Sequence, residues 1–185
     1  MLGWLKRRFD RAATARKLYG SVVTQARRQG FYADWGIPDT PQGRFEMVVL
    51  HLVLALRRLT REGAAGGRLA RTLNETFVAD MDDNMREMTF GDLRVPREIK
   101  QATAALLDRH NAYAEALQDP RGPKLEEALA RQLRYLGDPQ QFAIVALADY
   151  MRRAASTLDS VPAKRLLDGN LEWPDPAIKG SAVQR

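Results

Sequence analysis

The side chains able to do bond-making or metal chemistry are few and scattered. The chain has two histidines, His51 and His110, and no cysteine, which excludes disulfides, thiol catalysis, iron-sulfur ligation and cysteine-based zinc sites. Each histidine lies within or at the edge of an apolar helical stripe. Val48 and Leu107 stand three residues before them, so the Glu-x-x-His unit of di-metal bundles is absent. Haem ligation by one of these imidazoles with a methionine is open by residue type, which makes a haem or small-ligand carrier one reading of the chain. The other reading is a pair of hydrogen-bonded core histidines. Asp80, Asp82, Asp83 and Glu87 raise calcium, but an EF-hand register starting at Asp80 puts Met85 where glycine is needed and Gly91 where glutamate is needed. Those acids read instead as a solvated helix face or as a docking surface for a basic partner. No phosphate loop, Gly-x-Ser-x-Gly or His-Glu-x-x-His is present. Nothing in these patterns requires an enzyme, and no cofactor is expected unless the haem-carrier reading holds.

Basic charge is the stronger signal, because it is localised. Eight Lys and Arg side chains in residues 1–30 face one acid, Asp10, a charge of +7; the remaining 155 residues carry 21 basic and 22 acidic groups, a charge of −1. This is a basic arm on a nearly neutral body. In the arm, Leu2, Leu5 and Phe9 fall at helical spacing beside Trp4, while Lys6, Arg7, Arg8 and Arg11 surround them. That pattern suits a helix lying on an anionic membrane surface. Nucleic acid, ribosomal RNA in particular, is the alternative partner, with Arg57, Arg58, Arg61, Arg68 and Arg71 as a second basic patch. The order of charge and apolar residues does not match a secretory signal, and no apolar run reaches the ~20 residues of a transmembrane helix. Export and a membrane-spanning segment are therefore not expected; a cytoplasmic protein with peripheral membrane contact is.

Helical periodicity runs throughout, and no segment alternates as a strand does. The expected fold is all-α: a single compact domain of about six to seven helices over residues 11–168, preceded by the arm at 1–10 and followed by a flexible tail at 169–185. A first helix over residues 9–29 ends at Gly30. An aromatic connector, residues 31–40, follows. Thr40 is placed to cap the next helix, with Pro41 at its first position, and Phe45, Val48, Val49, Leu52, Leu56 and Leu59 form that helix's buried stripe. Residues 63–67, with three glycines, read as a flexible link. Later stripes are Leu69, Leu73, Phe77, Met81, Met85 and Met88; then Ile99, Ala102, Leu106, His110, Tyr113 and Leu117; then Phe142, Val145, Ala146, Tyr150 and Ala154 behind a cap at Asp138.

Between residues 19 and 94 a set of short segments stands in an order that is itself informative. These are Gln25-Ala26-Arg27, Phe31-Tyr32, Ile37-Pro38-Asp39-Thr40, Gly43-Arg44-Phe45-Glu46-Met47, His51, Arg58-Leu59, Asp80-Met81-Asp82, Arg86-Glu87-Met88 and Gly91-Asp92-Leu93. In order and spacing they resemble the ubiquinol-cytochrome c chaperone family, the assembly factors of the respiratory ubiquinol-cytochrome c reductase. Thr89-Phe90 and the C-terminal third depart from the pattern.

The resemblance implies an all-helical chaperone that binds newly made cytochrome b, or another subunit of that respiratory complex, during assembly. It further implies work beside a small partner protein or the ribosome in some members, with a bacterial member as the best fit here. Phe31, Tyr32, Trp35, Asp39, Arg44, Glu46, Asp80, Asp82, Arg86 and Glu87 are the expected partner-binding residues. Phe31, Tyr32 and Trp35 either anchor the partner or cap the core. Arg44 and Glu46 are expected to pair with the acidic third helix. Leu2, Trp4, Leu5, Lys6, Arg7, Arg8, Phe9 and Arg11 form the membrane or ribosome arm.

Overall fold

The computed structural model describes residues 3–87, 95–119, 122–137 and 141–176. Eight α-helices occupy them: α1 (Gly3–Ala26), α2 (Gln29–Ala33), α3 (Pro41–Thr60), α4 (Gly63–Glu87), α5 (Val95–Ala116), α6 (Lys124–Leu133), α7 (Gln141–Ser160) and α8 (Ala163–Leu167), with a 3-10 turn at Arg134–Leu136. Six of them have ten residues or more, and no strand occurs among the described residues. The all-α expectation therefore holds.

The centre of the molecule is α3. Its cap forms as the local sequence requires: Thr40 Oγ1 accepts from the Gly43 amide at 3.2 Å, and Pro41 opens the helix. From Met47 to Leu59 nearly every side chain is buried, because α1, α4, α5 and α7 pack around the helix. A helix apolar on all sides is one that has been enclosed on all sides. On α4, Leu69, Leu73 and Phe77 are buried and Met81 is half-buried; on α5, Leu106, Tyr113 and Leu117 are buried. The side chains of Met85, Ile99 and Phe142, together with Met88 and Asp138, lie outside the described residues.

Four local expectations are corrected. Helix α1 starts at Gly3 and ends at Ala26, so residues 3–10 continue into the body as one helix, and Gly30 lies inside α2 rather than ending α1. Residues 63–67 are helical, not a link. The glycine needed there is Gly66, because a Cβ would lie 2.1 Å from the Leu59 carbonyl oxygen; the tight α3–α4 corner requires a residue without a side chain. On α7, Val145 is exposed, and Ile144, Leu147 and Met151 take the buried positions. Finally, residues 169–176 are packed on α1 instead of forming a loose tail. Lys17 Nζ donates to Asn170 Oδ1 at 2.8 Å, Trp173 Nε1 donates to Ser21 Oγ at 3.0 Å, and Pro176 is buried.

Candidate functional site

Two polar arrangements lie on opposite sides of α3's first turns, and a third runs through the core. In the core, His51 is fully buried. Its Nδ1 lies 2.6 Å from the Met47 carbonyl oxygen, which can only accept, so Nδ1 carries the hydrogen. Nε2 is then an acceptor and takes the Tyr150 hydroxyl hydrogen at 2.7 Å. The Tyr150 oxygen accepts from Gln25 Nε2 at 3.0 Å, and the same amide donates to the Pro174 carbonyl at 3.0 Å. Both ring nitrogens of His51, the Tyr150 hydroxyl and the Gln25 amide nitrogen thus have compatible partners. Phe31, Trp35 and Trp173 enclose it with ring centroids 5.0–5.9 Å from Tyr150 or His51. Burial lowers the His51 pKa from 6.5 to about 4, against the opposing effect of its bond to Met47, and burial raises that of Tyr150.

These bonds correct two expectations. Both ring nitrogens of His51 are engaged inside the core, so the residue is not available as a haem ligand. Phe31 and Trp35 are 0% and 3% exposed, so they cap the core and cannot anchor a partner. His110 is half-buried, with no hydrogen-bond partner for Nδ1 among the described residues.

On one side of α3, Glu46 is buried and held by three donors. Arg109 Nε donates to its Oε2 at 2.8 Å, Arg109 Nη2 donates to its Oε1, and the Tyr135 hydroxyl also donates to Oε1 at 2.6 Å. Burial opposes the Arg109 charge, but the bidentate bonds and charge of Glu46 outweigh it and raise the pKa; Tyr135 is raised by burial and then by Glu46. Glu46 therefore ties α3 to α5 and the 3-10 turn and is not a surface residue. It does not pair with α4, as the sequence suggested. Arg109 escaped the sequence reading, although it sits three residues after Leu106 and four before Tyr113, on the buried register.

The other side is exposed and continuous. Arg44 Nε donates to Asp39 Oδ1 at 2.6 Å, not to α4. The Arg44 guanidinium holds the Asp39 carboxyl below the usual carboxylate range. The phenol of Tyr32 is raised by burial and then by Asp39, and lowered by the charges of Arg44 and Arg27. The Tyr32 hydroxyl donates to the Ala26 carbonyl at 2.7 Å. Arg27 also acts on Tyr19, whose hydroxyl donates to Asp80 Oδ2 at 2.8 Å. Burial and Asp80 both push the Tyr19 phenol upward. Between these polar groups lie the Phe45 and Tyr19 rings, each 6.3–6.4 Å from Phe77, with Val48, Val78 and Met81 half-buried beside them. The structure thus brings Tyr32, Asp39, Arg44 and Asp80 onto one face made by the end of α1, α2 with the connector behind it, the start of α3 and the second half of α4. Asp82 is half-buried on that half of α4, and the side chains of Arg86 and Glu87 lie outside the described residues.

The segments that compose this face and the core chain behind it include most of those in the family pattern, and comparison with known proteins decides the matter. Residues 33–173 match the family described as ubiquinol-cytochrome C chaperone. The chain belongs to that family. It is 30% identical over 161 residues to the ubiquinol-cytochrome c reductase complex assembly factor 1 of Drosophila melanogaster, covering 83% of this chain and 61% of that protein. With the Homo sapiens protein of the same name it shares 26% over 163 residues, covering 86% and 53%. The chain therefore spans between about half and two thirds of the length of these two relatives. A crystal structure of the Cbp3 homologue from Brucella abortus superposes with a TM-score of 0.80 at 32% identity, covering 95% of this chain and 98% of that one. No helix among the described residues is long and apolar enough to cross a membrane.

The basic patch expected at the α3–α4 corner is divided by the ubiquinol-cytochrome c chaperone fold. Arg58 is buried; its Nε donates to the Leu158 carbonyl at 2.8 Å and its Nη2 to the Val161 carbonyl at 2.9 Å, closing the C-terminal end of α7, while Nη1 pairs with Glu62. Arg57 and Arg61 share Asp159. Arg68 and Arg71 alone remain for surface work.

Proposed function

We propose that the chain is a non-enzymatic assembly chaperone that binds newly made cytochrome b and promotes assembly of ubiquinol-cytochrome c reductase. The observation that carries this reading is the match to the chaperone family over residues 33–173, reinforced by the likeness to the Brucella abortus Cbp3 homologue along nearly the whole of both chains. The same match favours an assembly role over nucleic-acid binding and over an enzymatic one. The client-binding surface is the face of Tyr32, Asp39, Arg44, Phe45, Val48, Asp80 and Met81. Its half-buried apolar floor suits the apolar helices of a membrane-protein client. Its ring of paired charges gives orientation without an isolated charge that the client would have to desolvate. Met81 adds an adaptable side chain. The N-terminal turns of α1, with Phe9 70% exposed, hold the protein at an anionic membrane surface near the site of client insertion.

Removal of the gene tests the reading. The expected result is loss of assembled reductase, with cytochrome b recovered on the tagged chain after pull-down from wild-type membranes. Unchanged reductase would overturn it.

A further inference from the structure

The basic residues of α1 do not stand alone. Arg8 and Arg11 of α1 and Arg68 and Arg71 of α4 line a single cleft of about 770 Å³, together with Ala12, Thr72 and Glu75. They come from helices 57 or more residues apart in sequence, so the cluster is a product of the α1–α4 packing and not of a local basic run. Arg8, Arg68 and Arg71 are exposed and Arg11 is half-buried. None of the four has a hydrogen-bond or ion-pair partner among the described residues, whereas Arg44, Arg57, Arg58, Arg61, Arg109 and Arg152 each hold a carboxylate. Glu75 is the one acid on the wall, which leaves a formal charge of +3.

We infer that this cleft binds the phosphate of an anionic phospholipid headgroup. Planar guanidiniums present paired N–H donors that match phosphate oxygens, and several converging on one concavity focus the field there. The lipid source is favoured over a polynucleotide by what lies next to the cleft. Phe9 projects from α1 between two of the cleft's arginines in sequence and is 70% exposed. A large apolar ring beside cationic groups suits the headgroup boundary of a bilayer, whereas a duplex, with its bases already stacked on one another, offers the ring no partner. The inference rests on the membrane role proposed for α1, and it adds that half of the lipid contact comes from α4.

The test uses the full chain and vesicles of phosphatidylcholine alone or mixed with phosphatidylglycerol, measured by flotation at physiological salt. Arg68→Ser/Arg71→Ser is compared with Arg131→Ser/Arg134→Ser, which removes the same charge from exposed positions of α6 and the 3-10 turn. Binding to phosphatidylglycerol vesicles is expected to fall about tenfold or more in the first variant and to change little in the second, given that each arginine near an anionic surface contributes a several-fold gain. Equal losses in the two variants would overturn the cleft in favour of diffuse charge. Wild-type binding that is indifferent to both pairs would overturn the cleft while leaving the α1 membrane reading standing. Failure of the wild type to bind would overturn both. Phe9→Ser separates the sources of phosphate. It should weaken vesicle binding; unchanged vesicle binding, with tighter binding to a duplex RNA than to vesicles, would overturn the lipid assignment. Glycerol phosphate, titrated alone, should bind the wild type only weakly, and saturation at low concentration would make a free phosphate ester the ligand instead.

Discussion

At the C-terminal end of α1, Gln25 donates both amide hydrogens within a sealed chain that runs from Pro174 through Tyr150 to His51. At the N-terminal end of the same helix, Arg8 and Arg11 line an open cleft and have no side-chain partner among the described residues. The exposed face around Tyr32, Arg44 and Asp80 is intermediate: its charges are paired, but the pairs lie at the surface. The contrast separates two uses of polar residues. In the sealed chain, where burial makes an unpaired group costly, the donors and acceptors meet one another and serve architecture. Where water can satisfy it, a group left unpaired or loosely paired is free to meet a partner.

If that division is right, the largest effects on stability come from the sealed side. Phe31→Ala should cost about 4 kcal/mol by opening a cavity among Trp35, His51 and Tyr150, and Glu46→Gln about as much, by leaving Arg109 charged and buried without its counter-ion. Urea denaturation would read both. A loss of client binding with stability intact would instead return Phe31 or Glu46 to the binding surface.

Acid should act next. Because the folded His51 pKa lies near 4 and the unfolded value near 6.5, the unfolded chain takes up a proton that the folded chain refuses. Stability is therefore complete above about pH 6.5 and declines as the pH falls toward 4, by about 3 kcal/mol for this group. His51→Gln should flatten that part of the stability profile, and a profile equally steep in the variant would remove His51 from the account. Trp173→Ala should cost about 2 kcal/mol and loosen residues 169–176, seen as faster amide exchange there. The smallest effects belong to the exposed face. Arg44→Ala should leave the denaturation midpoint unchanged while lowering recovery of cytochrome b.

How much of this was legible beforehand depended on how local the cause was. Thr40 and Pro41 marked the start of α3 because a cap is decided within four residues, and the stripes of α3, α4 and α5 emerged because burial imposes a period. The glycines at 63–67 misled because the cause of Gly66 is the Leu59 carbonyl of the preceding helix, a tertiary clash that no local rule registers. Residues 169–176 resembled a loose tail by their Pro, Asn and Gly content, yet Trp173 fits between Ser21 and His51. At the candidate face, Tyr32, Asp39, Arg44 and Asp80 were foreseen through the family resemblance. The division between them and the buried Phe31, Trp35 and Glu46 was not, because adjacent residues of a helix or turn point in different directions. The four-arginine cleft was hidden for the same reason, its halves being named separately as an arm and a corner patch.

The central claim is that cytochrome b docks on the face shared by α1, α2, α3 and α4. A photo-cross-linking residue placed at Val48 or Met81 tests it against one placed at Leu107, which is 61% exposed on α5. Irradiation during synthesis of the client should yield cytochrome b adducts from positions 48 and 81 and none from position 107. Adducts from position 107, with none from the other two, would contradict the account.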